Sequence, residues 1–191
     1  MPLEGDFLML RRLLGSQVKK EEDASQRDNI FHTRCVIQGK VCSLIIDRGS
    51  CTNVVSTRLV SKLNLETKSH PRPYKFQWLN EAVEMTVNKQ IEVCFSIGKY
   101  FDSVLCDVVP MEATHMLLRR PWQFDKRANH DGYSNKFSFL HNNQKITLVP
   151  LSLKEVKEDQ EKMREKKEKE ELKEKRNSRD QEREKAEIKK E

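Results

Sequence analysis

An aspartate at the end of an apolar segment is the residue of this chain best placed to do chemistry. Residues 44–46 (Leu-Ile-Ile) are branched and apolar, as is typical of a buried strand, and Asp47 follows at once. Gly49 and Ser50 then predict a turn. A carboxylate at the mouth of a buried strand is costly unless another group uses or pairs it. Asp47 is therefore a candidate catalytic carboxylate, with a turn or helix-capping aspartate as the alternative.

The cysteines and histidines show no spacing typical of a metal site or a disulfide framework. The chain has an odd number of cysteines, five, and no Cys-x-x-Cys pair. We therefore expect reduced thiols, no bound metal and no cofactor. A cysteine nucleophile at Cys51 with His32 as its base is a further hypothesis, but no spacing supports it.

Charge divides the chain into a core region and a tail. The tail from Lys154 to Glu191 holds 15 Lys or Arg against 14 Asp or Glu, whereas the whole chain of 191 residues has a formal net charge of +6. The tail has no apolar stripe to bury, so residues 152–191 are predicted to be a solvated helix or disordered. The basic excess on the remainder is mild and lacks the dense basic stripe of a dedicated nucleic-acid binder.

The first 28 residues are predicted to be a linker. Their apolar patch over residues 7–10 is ended by Arg11 and Arg12, and it is too short for a secretory leader or a membrane span. We expect a cytoplasmic protein without a membrane partner.

Residues 29–151 read as one mostly β domain with about ten short strands and one or two short helices. Gly39 and Lys40 predict a hairpin turn, and alternation over residues 91–97 predicts a half-buried strand. A short helix is predicted over residues 54–64 and another turn of helix at Pro121. Asp107 is interpreted as a turn or sheet-surface carboxylate.

The order of these features resembles the retropepsin-like aspartic protease of plant Ty3/gypsy-type retrotransposon gag-pol polyproteins. The matching segments are residues 30–35, 45–53, 70–80, 96–111 and 117–125, which include IIDRGS at 45–50 and LLRRPW at 117–122. The resemblance covers roughly residues 27–151. It implies a retropepsin-like acid-protease half-barrel with a charged C-terminal tail.

The resemblance also implies an activity and a set of site residues. The family's retropepsins are homodimers in which each subunit supplies one aspartate, here Asp47, to hydrolyse a polypeptide substrate with an activated water. The implied partners are a second copy of the chain and the polypeptide, with nucleic acid involved only through the parent polyprotein. The implied residues are those of the active-site loop, the flap and the supporting loop: Arg48, Gly49, Ser50, Trp78, Leu79, Asn80, Leu117, Leu118 and Arg119.

Three positions depart from the family's pattern. Arg48 replaces a small residue, Arg119 replaces glycine, and the flap tip reads Ala82-Val83 without glycine. Two Arg48 side chains about 5 Å apart in a dimer would repel by roughly 3 kcal/mol at an effective dielectric constant near 20. Burial of Arg119 without a partner would cost several kcal/mol.

Two alternatives to a working protease therefore remain. The first is a decayed, catalytically inactive fold that dimerises or binds peptides, and the two arginines favour it. The second is a nucleic-acid-associated retroelement protein, for which the basic and aromatic residues at 72–78 are the local support.

Overall fold

A computed structural model of the chain describes residues 29–77 and 84–188. Its ten strands are β1 (Phe31–Ile37), β2 (Lys40–Ile46), β3 (Val54–Ser56), β4 (Lys68–Gln77), β5 (Glu84–Ile97), β6 (Tyr100–Val109), β7 (Met116–Leu118), β8 (Asn129–Asp131), β9 (Lys136–His141) and β10 (Gln144–Leu148). Its helices are α1 (Thr57–Lys62), α2 (Arg120–Asp125) and α3 (Leu153–Ile188). The predicted mostly β class, with two short helices and a helical tail, is confirmed. The predicted linker over residues 1–28 lies outside the described residues.

Seven strands form one sheet in the order β1-β2-β7-β3-β6-β5-β4. An additional pairing of β1 with β5, at Val36 and Ser96, closes the sheet on itself and leaves β4 outside the ring. The remaining strands form a small antiparallel sheet in the order β10-β9-β8. The large sheet is therefore a closed β structure with one free edge.

The centre of the large sheet is built from short strands that are distant in sequence. β2 runs parallel to β7, with Ile46 opposite Leu118, and β3 runs parallel to β6, with Val54 opposite Asp107. The antiparallel pairing of β3 with β7 joins these two parallel pairs. The chain between β2 and β3, residues 47–53, is thereby held above the middle of the sheet.

The predicted helix over residues 54–64 is wrong in its first part. Val54 and Val55 are buried in β3, and α1 begins only at Thr57, with the Ser56 side chain accepting the Leu59 N–H at 3.2 Å. Branched side chains pack well on a buried strand, and the neighbouring β6 supplies the hydrogen bonds.

The turns of the hairpins follow the residues that tolerate positive φ. Gln38 and Gly39 have φ values of +47° and +73°, so the first turn lies one residue earlier than predicted. Asn142 and Asn143 form the turn between β9 and β10, with φ values of +50° and +60°. Asparagine and glycine are common at such two-residue hairpin turns because their strain there is low.

Residues 69–73, which include two prolines, are part of β4. The register of β4 against β5 shifts between Ser69 and Tyr74, and Pro71 and Pro73 lie inside the shifted stretch. Proline has no N–H to donate to a ladder, so prolines are tolerated where pairing is interrupted at a sheet edge.

Aromatic side chains join the small sheet to the large one. Phe137 packs edge-on against Phe31 with ring centroids 5.1 Å apart, and Phe139 packs against Trp122 at 5.5 Å. Trp122 is fully buried, as expected for a core anchor. Its ring N–H donates to Asp102 at 3.0 Å.

Asp102 has two further partners beside Trp122. The Lys126 ammonium lies 2.7 Å from its carboxylate, and the Tyr100 hydroxyl also donates to it. Burial raises the pKa of Asp102, but hydrogen bonds from Lys126, Tyr100 and Trp122 together outweigh it and hold the pKa below its ordinary value.

The tail helix α3 starts against the β domain. Ser152 and Glu155 cap it reciprocally: the Ser152 N–H donates to the Glu155 carboxylate at 2.9 Å, and the Glu155 N–H donates to the Ser152 hydroxyl at 3.3 Å. Asp159, two turns into the helix, accepts two hydrogen bonds from Arg34 of β1, at 2.7 and 2.9 Å. The first turns of the tail are therefore docked. None of the described helices is both long and apolar enough to cross a membrane.

Candidate active site

The loop after β2 holds Asp47 by main-chain contacts. The Asp47 N–H donates to the Leu118 carbonyl oxygen at 2.9 Å, which extends the β2–β7 pairing by one residue. The Asp47 carbonyl oxygen accepts from the Gln123 side chain at 3.1 Å. Because both contacts are to the backbone, the position of the aspartate does not depend on what its carboxylate binds.

The Asp47 carboxylate is half-buried and lies close to the backbone of its own turn. It accepts the Gly49 N–H at 3.0 Å. A Cβ atom on Gly49 would lie 3.3 and 3.4 Å from the two carboxylate oxygens, which is tighter than ordinary contact. The lack of a side chain at Gly49 therefore lets the carboxylate sit against the loop. The Arg48 side chain is exposed and Ser50 is half-buried.

The predicted supporting loop lies directly beside Asp47. Leu118 is fully buried in the main core. Leu117 belongs to a second apolar cluster with Ile45, Val54 and three other residues, with Tyr74 packed against it. The structure thus brings residues 117–119 against the Asp47 loop, as the sequence resemblance implied.

Arg119 is a buried arginine beside the Asp47 loop. Its side chain is only 8% exposed, and within the part of the chain that the structure describes its Nε atom has no hydrogen-bond partner. Burial lowers the pKa of Arg119, while the nearby Asp47 carboxylate acts in the opposite direction. A guanidinium keeps its charge inside proteins, so a buried cation lies near the candidate catalytic carboxylate.

Two residues that the sequence reasoning did not single out shape this loop. Asn53 is buried; its side-chain oxygen accepts the Arg119 N–H at 2.8 Å, and its carbonyl oxygen accepts the Asp107 N–H at 2.9 Å. Gln123 contacts the Asp47 carbonyl oxygen from α2. Both are polar residues near an apolar segment, which by itself signals only a cap or a surface position.

Asp107 is not the turn or sheet-surface carboxylate that the sequence suggested. It lies in β6, is 2% exposed, and accepts hydrogen bonds from the Tyr74 hydroxyl at 2.7 Å and the Gln90 amide at 2.8 Å. The His70 Nε2 atom lies 3.4 Å away. A buried carboxylate requires such partners, and they come from β4 and β5.

This network ties the base of the predicted flap to the sheet. Burial, followed by the hydrogen bond to Asp107, raises the pKa of Tyr74 to about 12, so the hydroxyl remains a donor. The flap residues Trp78, Leu79 and Asn80, and the tip Ala82-Val83, lie outside the described residues. Both arms of the predicted hairpin lie among the described residues, in β4 and β5.

In the described ranges, no three His, Cys, Asp or Glu side chains converge so as to hold a metal ion. Cys51, the hypothetical nucleophile, is exposed in the Asp47 loop, and His32 lies in β1, where its carbonyl oxygen accepts from Leu151. The arrangement at Asp47 is instead that of one oriented carboxylate next to a packed apolar loop.

No protein-family model matches the chain, and no curated protein matches it. Among solved structures, the chain is similar to the crystal structure of the retroviral protease-like domain of Ddi1 from Leishmania major. That match covers 64% of this chain and 94% of the other, at 11% sequence identity and a TM-score of 0.48. A likeness of this level assigns the chain neither an activity nor a substrate.

Proposed function

We propose that residues 29–151 form a retropepsin-like aspartic endopeptidase domain that acts as a homodimer. The observation that supports this most is the geometry of Asp47: a half-buried carboxylate, fixed through its backbone to β7 and resting on a glycine. The bond from the Gly49 N–H is what an Asx turn also shows, so the main support comes from the main-chain bonds that join Asp47 to Leu118 and to Gln123. The sequence resemblance over residues 27–151 points to the same activity.

The chemistry requires two copies of this site. Two carboxylates close to a two-fold axis cannot both ionise easily, so they share one proton. The ionised carboxylate takes a proton from water, and the protonated one donates a hydrogen bond to the peptide carbonyl oxygen. One chain with one Asp47 therefore supplies half of a catalytic centre.

Substrate would lie between the Asp47 loop and the flap. An extended polypeptide suits this position, since a strand-like ligand can pair with loop and hairpin backbones. Following the resemblance, we propose that the substrate is the polyprotein of a Ty3/gypsy-type retrotransposon.

A second candidate is a catalytically inactive fold of the same family, and Arg119 favours it. Arg119 places a buried guanidinium near Asp47, where the resemblance implies a glycine. Arg48 adds a second cation next to Asp47 in sequence. Under this candidate the domain would retain dimerisation or peptide binding without hydrolysis.

One experiment separates the two candidates. The full chain is incubated at mildly acid pH with a mixed-sequence peptide library, with and without pepstatin, and products are read by mass spectrometry. The variants are Asp47→Asn, the double variant Arg48→Gly with Arg119→Gly, and a matched control, Arg72→Gly with Arg120→Gly, which removes two exposed arginines.

We expect pepstatin-sensitive cleavage that Asp47→Asn lowers by about 10³-fold, since general acid–base groups contribute 10²–10⁴-fold. Cleavage only by the Arg48→Gly, Arg119→Gly variant, and not by its control, would identify the inactive fold. Cleavage that survives Asp47→Asn would refute Asp47 as the catalytic residue.

A further inference from the structure

A second concave surface lies away from the Asp47 loop, where the tail helix meets the β domain. Its volume is about 520 Å³, within the range of small-ligand sites. The β1–β2 hairpin, α1, the segment before β7 and α3 form its walls. We call it the basic groove because six of its lining residues are cationic: Arg34, Lys40, Arg58, Lys62, Lys162 and Lys166.

The opposing negative charge is small and already engaged. Asp159 is the acidic residue that lines the basic groove, and both of its carboxylate oxygens accept hydrogen bonds from Arg34, at 2.7 and 2.9 Å. Lys40, Lys162 and Lys166 are exposed at the rim. The groove thus presents three exposed lysines around one internally paired acid.

Cations on α1 and α3 both influence His115, which lies in the basic groove. Burial lowers its pKa, and the charges of Arg58 and Lys62 on α1 and of Lys166 on α3 lower it further. Its Nδ1 atom accepts the Ser43 N–H at 3.0 Å, so the neutral ring carries its proton on Nε2. The groove therefore offers a neutral donor as well as cations.

The remaining lining residues indicate which kind of anionic ligand the basic groove could bind. The apolar part consists of aliphatic and sulfur-containing side chains, namely Val41, Cys42, Leu59, Leu63 and Met163. No tyrosine, phenylalanine or tryptophan is among the described lining residues, so the groove lacks the aromatic platforms on which nucleobases stack. Recognition would then rest on charge and on backbone phosphates, which carry no sequence information.

We propose that the basic groove binds the phosphate groups of a polyphosphorylated ligand, either the backbone of single-stranded RNA or a free polyphosphate. The proposal does not depend on the protease assignment, because the groove shares no lining residue with the loop at 47–53. It also differs in place from the basic and aromatic residues at 72–78.

Binding to the full chain is measured at low salt by fluorescence anisotropy, with a labelled oligouridine of about 12 nucleotides and with tripolyphosphate as competitor. Lys162→Ala with Lys166→Ala removes two rim charges one helical turn apart, and alanine preserves the helix. Lys154→Ala with Lys157→Ala is the matched control, because it removes two exposed lysines of α3 that do not line the groove.

We expect the groove variant to bind the RNA about tenfold more weakly and to lower the slope of log K against log salt by about 1.4, since each contact with single-stranded phosphate contributes about 0.7. Lys40→Ala, on the hairpin and not on α3, should weaken binding about threefold. This third variant keeps the test valid if the changes on α3 undock the helix.

Binding of tripolyphosphate measured by calorimetry, weakened by the groove variant and not by its control and without measurable RNA binding, would also support the proposal and would assign a free polyphosphate as the ligand. Equal weakening by the groove variant and its control would overturn the proposal, because the attraction would then come from the tail as a whole. Absence of binding of either ligand at low salt would overturn it as well.

Discussion

Asp47 and Asp107 are both aspartates at the centre of the same sheet, yet their surroundings differ. Asp107 is almost fully buried, and its carboxylate accepts hydrogen bonds from side chains of β4 and β5. Asp47 is half-buried, held through its backbone, and its carboxylate rests on the N–H of its own turn. The Asp107 carboxylate is held by hydrogen bonds from other side chains, whereas Asp47 is held mainly through its main chain.

This difference separates a structural from a chemical role. A carboxylate whose lone pairs are used by neighbouring donors stabilises those neighbours and is closed to substrate. A carboxylate positioned by its backbone can accept a water or a second carboxylic acid without loss of position. Asp107 therefore joins β4 and β5 to β6, and Asp47 is the aspartate that we propose for catalysis.

The comparison is tested most strongly by removing each carboxylate. Asp107→Ala should lower the free energy of unfolding by about 3 kcal/mol, because it leaves the Tyr74 hydroxyl and the Gln90 amide without their acceptor. Asp47→Ala should lower it by no more than about 1 kcal/mol. Urea denaturation measures both values, and equal losses would contradict the division of roles.

Arg119 allows a second test, because it is a buried charge whose Nε atom has no hydrogen-bond partner among the described residues. Arg119→Met keeps an unbranched side chain without the charge and should raise the free energy of unfolding by about 1–3 kcal/mol. Arg120→Met, at the adjacent exposed position, should change it by less than about 0.5 kcal/mol. A destabilisation by Arg119→Met would mean that the guanidinium supports the loop.

Gly49 sharpens the comparison at the carboxylate itself. In Gly49→Ala the new Cβ crowds both Asp47 oxygens, at 3.3 and 3.4 Å, and must push the carboxylate out of place. We expect about a tenfold loss of peptidase activity, since small misplacements of a reacting group are costly, and a stability change of about 1 kcal/mol or less. Gly132→Ala, with nothing within 4 Å of its new Cβ, is the control.

Asp102, like Asp107, stabilises the fold through side-chain hydrogen bonds, and we expect the smallest change in unfolding free energy here. Its pKa is lowered in the folded chain, so the unfolded chain binds the proton more readily. Its stabilising contribution is therefore complete above the unfolded pKa of about 3.9 and is lost as pH falls through the lower folded value. Lys126→Met should reduce this acid-dependent loss, measured as unfolding free energy against pH, by less than about 1 kcal/mol.

Sequence alone predicted the place of Asp47 and not that of Asp107, for a physical reason. The signal of Asp47 is local: an apolar strand, an acid and a glycine lie within six residues. The partners of Asp107 lie 33 and 17 residues away in sequence. The partner of Arg34 in the tail lies 125 residues away. Contacts over such distances in the chain produce no hydrophobic periodicity in the sequence. They are seen only in the folded structure.

Val54 and Val55 show the same limit for secondary structure. Their spacing with Leu59 and Leu63 fits a helix, yet tertiary pairing with β6 and β7 makes them a strand. Local propensity was overridden by a hydrogen-bonding partner that is more than 50 residues away in the chain. The hairpins, in contrast, depend on adjacent residues and were predicted to within one residue.

The proline-containing strand β4 has a consequence for how the molecule behaves in crowded solution. As the free edge of the large sheet, β4 would otherwise expose a row of unpaired backbone groups to any foreign strand. Pro71 and Pro73 lack N–H groups, and the register shift around them breaks the ladder that such a strand would need. The interrupted pairing of β4 thus protects the sheet from growing by accidental self-association.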